Sequence, residues 1–315
     1  MKKLLLILIL TFIIGLKAKT NIILDWFPNT NHTGIYVAKE LGFYDEQNLD
    51  INIRQSTYGG SPDIVGFGSA EFGISYQEQV TYARTSPSPI PIVAVATIIK
   101  ENSSGFVSLS EKNIVSPKDF EGKKYGGWGA PMEKAVITSM MIATKADPKK
   151  VSFINIGSSN IFEATKSGID FTWIFYGWDG IEAKNKNIPI NFLLLQDYVK
   201  ELNSYTPVII TSEKMIKNNP QMVRKFLKAT KKGYIYAIKN PKKSAEILLK
   251  YAPELDRDLV INSQKYLSKI YTDNPQKWGK MEKNIWQNYG EWMFKNGLIE
   301  KKLETDKAFT NRFLE

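Results

Sequence analysis

Apolar runs of strand length alternate with amphipathic stretches over the first two thirds of the chain. The runs at 22–26, 51–53, 72–76, 92–97, 125–127, 151–154, 171–175 and 192–195 predict strands. Between them, apolar residues recurring at helical spacing predict helices at 33–41, 62–69, 77–85, 131–143, 161–167 and 180–184. This alternation is the signature of the α/β class. Past residue 211 the strands stop. Val223, Phe226, Leu227, Thr230, Tyr234, Ala237 and Ile238 share one face of a helix opened by Pro220, and Pro241 opens another. Trp278, Ile285, Trp286, Tyr289 and Trp292 mark a further amphipathic helix. No internal repeat or low-complexity tract interrupts the pattern.

The start of the chain has a different character. Lys2 and Lys3 precede an apolar run over residues 4–16, too short to span a bilayer and ordered like a secretory signal, with cleavage expected near Ala18. An uncleaved anchor or a buried first strand is the competing reading. No later segment reaches membrane-spanning length. At 315 residues and 43% hydrophobic content the chain has apolar material for one or two cores, and two lobes are the default expectation.

Charge and cysteine content narrow the chemistry. The 42 Lys and Arg against 32 Asp and Glu give a net charge of +10. The lysines of the last third alternate with apolar positions and with Glu246, Glu282, Glu291 and Glu300, which describes solvated helix faces and not a nucleic-acid surface. Cysteine is absent, which excludes disulfides, thiolate metal sites, a cysteine nucleophile and an N-terminal lipid anchor on cysteine. His32 is the only histidine, no Gly-x-Ser-x-Gly elbow occurs, and no P-loop is present, so neither hydrolysis nor nucleotide chemistry has its usual equipment. Gly126-Gly127-Trp128-Gly129 has the strand-to-helix setting of a phosphate-binding turn without dinucleotide spacing, and Trp128 suits an aromatic ring better than a phosphate.

Four strand-to-helix junctions carry the most informative residues: 25–32, 75–78, 127–131 and 176–180. In an open α/β sheet these junctions form the rim where small ligands bind. Each holds an aromatic ring beside a polar group. Any one ring alone reads as core packing, but four at four loops resemble the walls of a slot for a planar ring. Trp26, Tyr76, Trp128, Tyr176 and Trp178 are the stacking candidates, with Gly127 and Gly129 allowing backbone to approach. Asn29, Glu78, Asp179 and Glu182 are candidates for hydrogen bonds to an aminopyrimidine, because a carboxylate accepts from an exocyclic amine. For Asp179 and Glu182 a helix-cap role fits equally well. His32 is either a wall contact or a cap.

The residues 24–34, with Val37-Ala38 and Leu41-Gly42-Phe43-Tyr44 behind them, resemble ABC-transporter substrate-binding proteins for thiamine pyrimidine precursors. Further matches are 73–78, 126–133, 176–182, 205–208 and 308–313, so the resemblance spans nearly the whole mature chain. It implies the type II periplasmic binding protein fold, with two α/β lobes joined by crossing strands and closing on a ligand in the cleft. The crossings would fall near 103–105 and 205–207. The implied division is a leader over 1–18, a discontinuous first lobe over 19–104 plus 206–315, and a second lobe over 105–205. It further implies a monomeric periplasmic receptor, not a lipoprotein, that hands its pyrimidine to an ABC permease without cofactor, chemistry or nucleic acid.

The same family includes fungal enzymes that build the thiamine pyrimidine from a pyridoxal phosphate on their own lysine and from their own histidine, with iron. Here the lysine position reads Ser75 and the histidine position Gln79, and a cysteine-rich iron motif cannot exist. Receptors for riboflavin, an alkanesulfonate or a polyamine stay open as alternatives on the same fold. Sulfonate or nitrate would want cationic walls, whereas the junctions hold no Lys or Arg before Lys134.

Overall fold

A computed structural model describes residues 17–56, 60–157, 161–166 and 168–314. The expected leader over 1–16 lies outside the described residues, and the first strand begins at Ala18.

Among the described residues, ten strands form two five-stranded sheets. Strands β1 (Ala18–Leu24), β2 (Leu49–Gln55), β3 (Phe72–Ser75) and β4 (Ile92–Thr97) lie in the first. Strands β5 (Ser104–Leu109), β6 (Lys124–Gly127), β7 (Ser152–Asn155), β8 (Phe171–Phe175) and β9 (Ile190–Leu194) make the second, and β10 (Val208–Ser212) returns to the first. The strand orders are β2-β1-β3-β10-β4 and β7-β6-β8-β5-β9. In each sheet four strands share one direction, and the strand arriving from the other sheet, β10 or β5, sits fourth and antiparallel to both neighbours. The two sheets are therefore equivalent in plan, which is the two-lobed α/β architecture expected from the family resemblance. Neither β5 nor β10 is marked as a strand by the apolar pattern; both are short and follow directly on a crossing.

The first core gathers Phe72 and Phe226, stacked at 3.8 Å, with Trp278 on Tyr234 at 4.4 Å. The second stacks Phe120 on Phe171 at 4.0 Å. Strand β4 is buried along its whole length, as a continuous Ile-Val-Ala-Val-Ala run requires. Helix Thr33–Glu40 crosses helix Pro220–Lys239 where glycines meet: a Cβ on Gly233 would lie 1.9 Å from the Gly34 carbonyl oxygen. That crossing fixes the helix whose start carries the first junction.

Departures from the sequence pattern occur among the helices as well. Helix Arg257–Leu267 is missing from the sequence reading, although Leu259, Val260, Ile261 and Leu267 are buried along it. Trp278 lies outside the last long helix, Lys283–Lys295. That helix also straddles the sheets: Trp286 packs in a core of the first, while Tyr289, Trp292 and Met293 enter the core of the second. The segment 206–315 thus does not serve the first lobe alone.

Candidate ligand-binding site

All four junctions open at the carboxyl ends of parallel strands, where backbone amides and helix starts converge. On the first rim, β1 ends and the chain turns through 25–32. Asn29 caps this turn: its Oδ1 accepts the Asn31 amide at 2.9 Å, and its Nδ2 donates to the Phe27 carbonyl at 3.0 Å. The Asn29 amide donates to His32 Nδ1 at 3.2 Å, so the imidazole proton resides on Nε2 and is donated to Asp25 Oδ1 at 2.7 Å. His32 is 0% exposed and both ring nitrogens are spent. His32 thus has both ring nitrogens engaged and takes the cap role that was its alternative, while Asn29 gives one bond from each end of its amide to the turn.

Asp25 holds the rim together. Burial would raise its carboxyl, but hydrogen bonds from His32 and Tyr76 more than offset this and keep it below the ordinary value. Tyr76 in turn has its hydroxyl pushed well up, by burial and then by Asp25, so it stays a donor. One residue on, Glu78 lacks such help. Its carboxyl is raised to about 7, by burial first and then by the charge of Glu133 on the opposite rim. Trp26 is 54% exposed and meets Phe27 edge to face.

The second rim repeats the plan with other partners. Glu133, 2% exposed, accepts from Tyr125 Oη at 2.6 Å, the Trp128 amide at 3.0 Å and the Ala130 amide at 2.7 Å. A Cβ on Gly127 would sit 1.9 Å from Glu133 Oε1, so the close approach that this glycine permits is made by an internal carboxylate. Gly129 adopts φ +85°, which favours glycine. Trp128 is 50% exposed and tilts against Trp173 at 5.6 Å. Asp179 is raised to about 6, chiefly by burial, with backbone hydrogen bonds opposing and Glu182 adding. Glu182 is ion-paired with Lys186.

Two expected stacking residues have other neighbours. The π-type turn Tyr176–Gly180 docks on helix Arg257–Leu267: the Ser263 hydroxyl donates to the Gly177 carbonyl, and Tyr176 meets Tyr266 at 5.4 Å and Phe192 at 5.0 Å. Trp178 packs against the first core. Of the five expected stacking rings, Trp26 and Trp128 are about half exposed, while Tyr76, Tyr176 and Trp178 are partly buried. Asp25, Glu133 and Trp173 are site neighbours that sequence reasoning did not single out. A glutamate at the third position of a helix opened by proline is a capping signal that points to Glu133.

Among the described residues, no three His, Cys, Asp or Glu side chains gather as a metal would need, and no helix is long and apolar enough to cross a membrane. Where the resemblance to the fungal enzymes would put lysine and histidine, Ser75 Oγ donates to Gln79 Oε1 at 2.7 Å. This pair offers no amine to pyridoxal phosphate, so that cofactor does not fit here.

The chain is 25% identical over 299 residues to a formylaminopyrimidine-binding protein of Halalkalibacterium halodurans, covering 92% of this chain and 89% of that one. It is also 25% identical over 307 residues to a 4-amino-5-hydroxymethyl-2-methylpyrimidine phosphate synthase of Legionella pneumophila, covering 95% and 93%. In fold it resembles the periplasmic nitrate-binding protein of Synechocystis (TM-score 0.72, 14% identity, 94% and 87% covered). The periplasmic aliphatic sulphonate binding protein of Escherichia coli is similar too (TM-score 0.70, 12% identity, 92% and 91% covered). The family model described as NMT1/THI5 like matches residues 29–244, most of the chain, and the protein belongs to that family.

Proposed function

We propose that this protein is the exported solute-binding component of an ABC importer and that it traps an amino- or formylaminopyrimidine precursor of thiamine without reacting with it. The observation that carries this reading is the matched pair of rims. Each holds, at its strand-to-helix junctions, a half-exposed indole, Trp26 or Trp128, and a carboxyl raised by burial, Glu78 or Asp179. A carboxyl short of donors is stabilised by a ligand that brings them, and an aminopyrimidine brings an exocyclic amine on a flat ring. Stacking adds about 0.5–1.5 kcal/mol per ring beyond burial. Tyr76, Glu182 and Gly129 complete the wall, and closure draws its free energy from contacts made only in the shut form. The printed name of the Halalkalibacterium relative agrees with this ligand.

The name of the Legionella relative favours a second reading, a synthase. Against it stands the Ser75–Gln79 pair. Mass spectrometry of gently purified protein separates the readings. A receptor releases an aminopyrimidine and keeps its own intact mass through incubation; a synthase loses mass from a side chain. Release of a different solute, with no thermal stabilisation by aminopyrimidines, refutes the ligand while leaving the fold. A true ligand at 100 times its Kd adds about 2.7 kcal/mol of stability.

A further inference from the structure

A glycine-rich turn between a strand and a helix start is a common setting for a phosphate, because its free amides converge on one point. The turn between β6 and helix Pro131–Ala143 has this form, yet two of its amides are already engaged. Glu133 Oε1 takes the Trp128 amide at 3.0 Å and the Tyr125 hydroxyl at 2.6 Å, and Oε2 takes the Ala130 amide at 2.7 Å. Pro131 has no amide to give. Gly127 is needed for the carboxylate to enter, since a Cβ there would stand 1.9 Å from Oε1. The occupant is thus an anion supplied by the chain itself, fully enclosed, with the Glu78 carboxyl near enough to feel its charge.

We propose that Glu133 fills the phosphate cradle of the second rim and is a specificity-determining residue that restricts the cleft to unphosphorylated ligands. A phosphate monoester entering here meets a like charge and finds the amides of Trp128 and Ala130 already bonded. The pyrimidine alcohol carries no such charge and is not opposed. This selectivity rests on the cleft being the pyrimidine site, so a phosphate probe and a pyrimidine probe are read separately.

The test uses calorimetry and thermal shift on the full mature chain, on Glu133→Gln and on Tyr125→Phe. Probes are 4-amino-5-hydroxymethyl-2-methylpyrimidine, its phosphate monoester and inorganic phosphate. The wild type should bind the alcohol roughly 100-fold more tightly than the ester, and Glu133→Gln should shrink that ratio at least about tenfold. Tyr125→Phe keeps the charge and should keep the preference. An ester that binds the wild type within about threefold of the alcohol, or an unchanged ratio in Glu133→Gln, overturns the assignment. If Glu133→Gln does not fold, the wild-type ratio and Tyr125→Phe decide. If neither pyrimidine binds, the pyrimidine reading fails and inorganic phosphate decides for Glu133. Stabilisation of Glu133→Gln alone supports the role; stabilisation of the wild type, or of neither protein, overturns it.

Discussion

The two rims of the cleft carry the same three parts, an exposed indole, a raised carboxyl and a buried satisfied carboxylate, but they satisfy that carboxylate differently. On the first rim Asp25 is held by the side chains of His32 and Tyr76. On the second, Glu133 is held by two backbone amides and one tyrosine. A side-chain network can be undone at any member, whereas backbone amides cannot be mutated away. The first rim is therefore the fragile one, and the second is altered mainly through Glu133 itself.

Asp25→Ala breaks the comparison hardest. It leaves the buried His32 Nε2–H and the Tyr76 hydroxyl without their acceptor, and should cost about 3 kcal/mol in denaturant titration. The next largest effect is a pH dependence. The folded-state value of Glu78 is raised to about 7 from an ordinary 4.5, so the unfolded chain gives up this proton first. Stability is then full below pH 4.5 and falls by about 3 kcal/mol as pH climbs through 7, while Glu78→Gln removes most of that slope. Asp179, raised to about 6 from 3.8, adds a smaller loss in the same direction over a lower window.

Tyr125→Phe tests the second rim. With two amides still on Glu133, stability should drop only about 1 kcal/mol, well short of Asp25→Ala. Equal losses in the two variants would erase the distinction between the rims. The smallest effect on folding is expected from Trp128→Ala, within about 0.5 kcal/mol because the indole is half exposed, with pyrimidine affinity down about threefold to tenfold. Trp178→Ala should do the opposite, since that ring packs on the first core: a clear loss of stability with a lesser effect on binding.

Most strands were legible because runs such as 92–96 are apolar throughout and buried, as strands covered on both faces must be. The rims were legible as places, since junction composition marks where strands end. What each side chain does there was not. Asn29 and His32 look like ligand contacts because a cap and a contact call for the same polar groups, and only the hydrogen-bond geometry tells them apart. Tyr176 and Trp178 look like walls because what they pack against, Tyr266 of helix Arg257–Leu267 and the first core, is not local in sequence. Glu133 escaped because the signal that marks it, a glutamate at the third position of a helix opened by proline, reads as a cap and not as part of a site.

Calorimetric titration of the mature protein at neutral pH with a formylaminopyrimidine, beside an alkanesulfonate and nitrate, tests the central claim most directly. Saturable one-to-one binding of the pyrimidine, weakened in both Glu78→Gln and Trp128→Ala, is the predicted result. Binding of sulfonate or nitrate with no heat from the pyrimidine would contradict it.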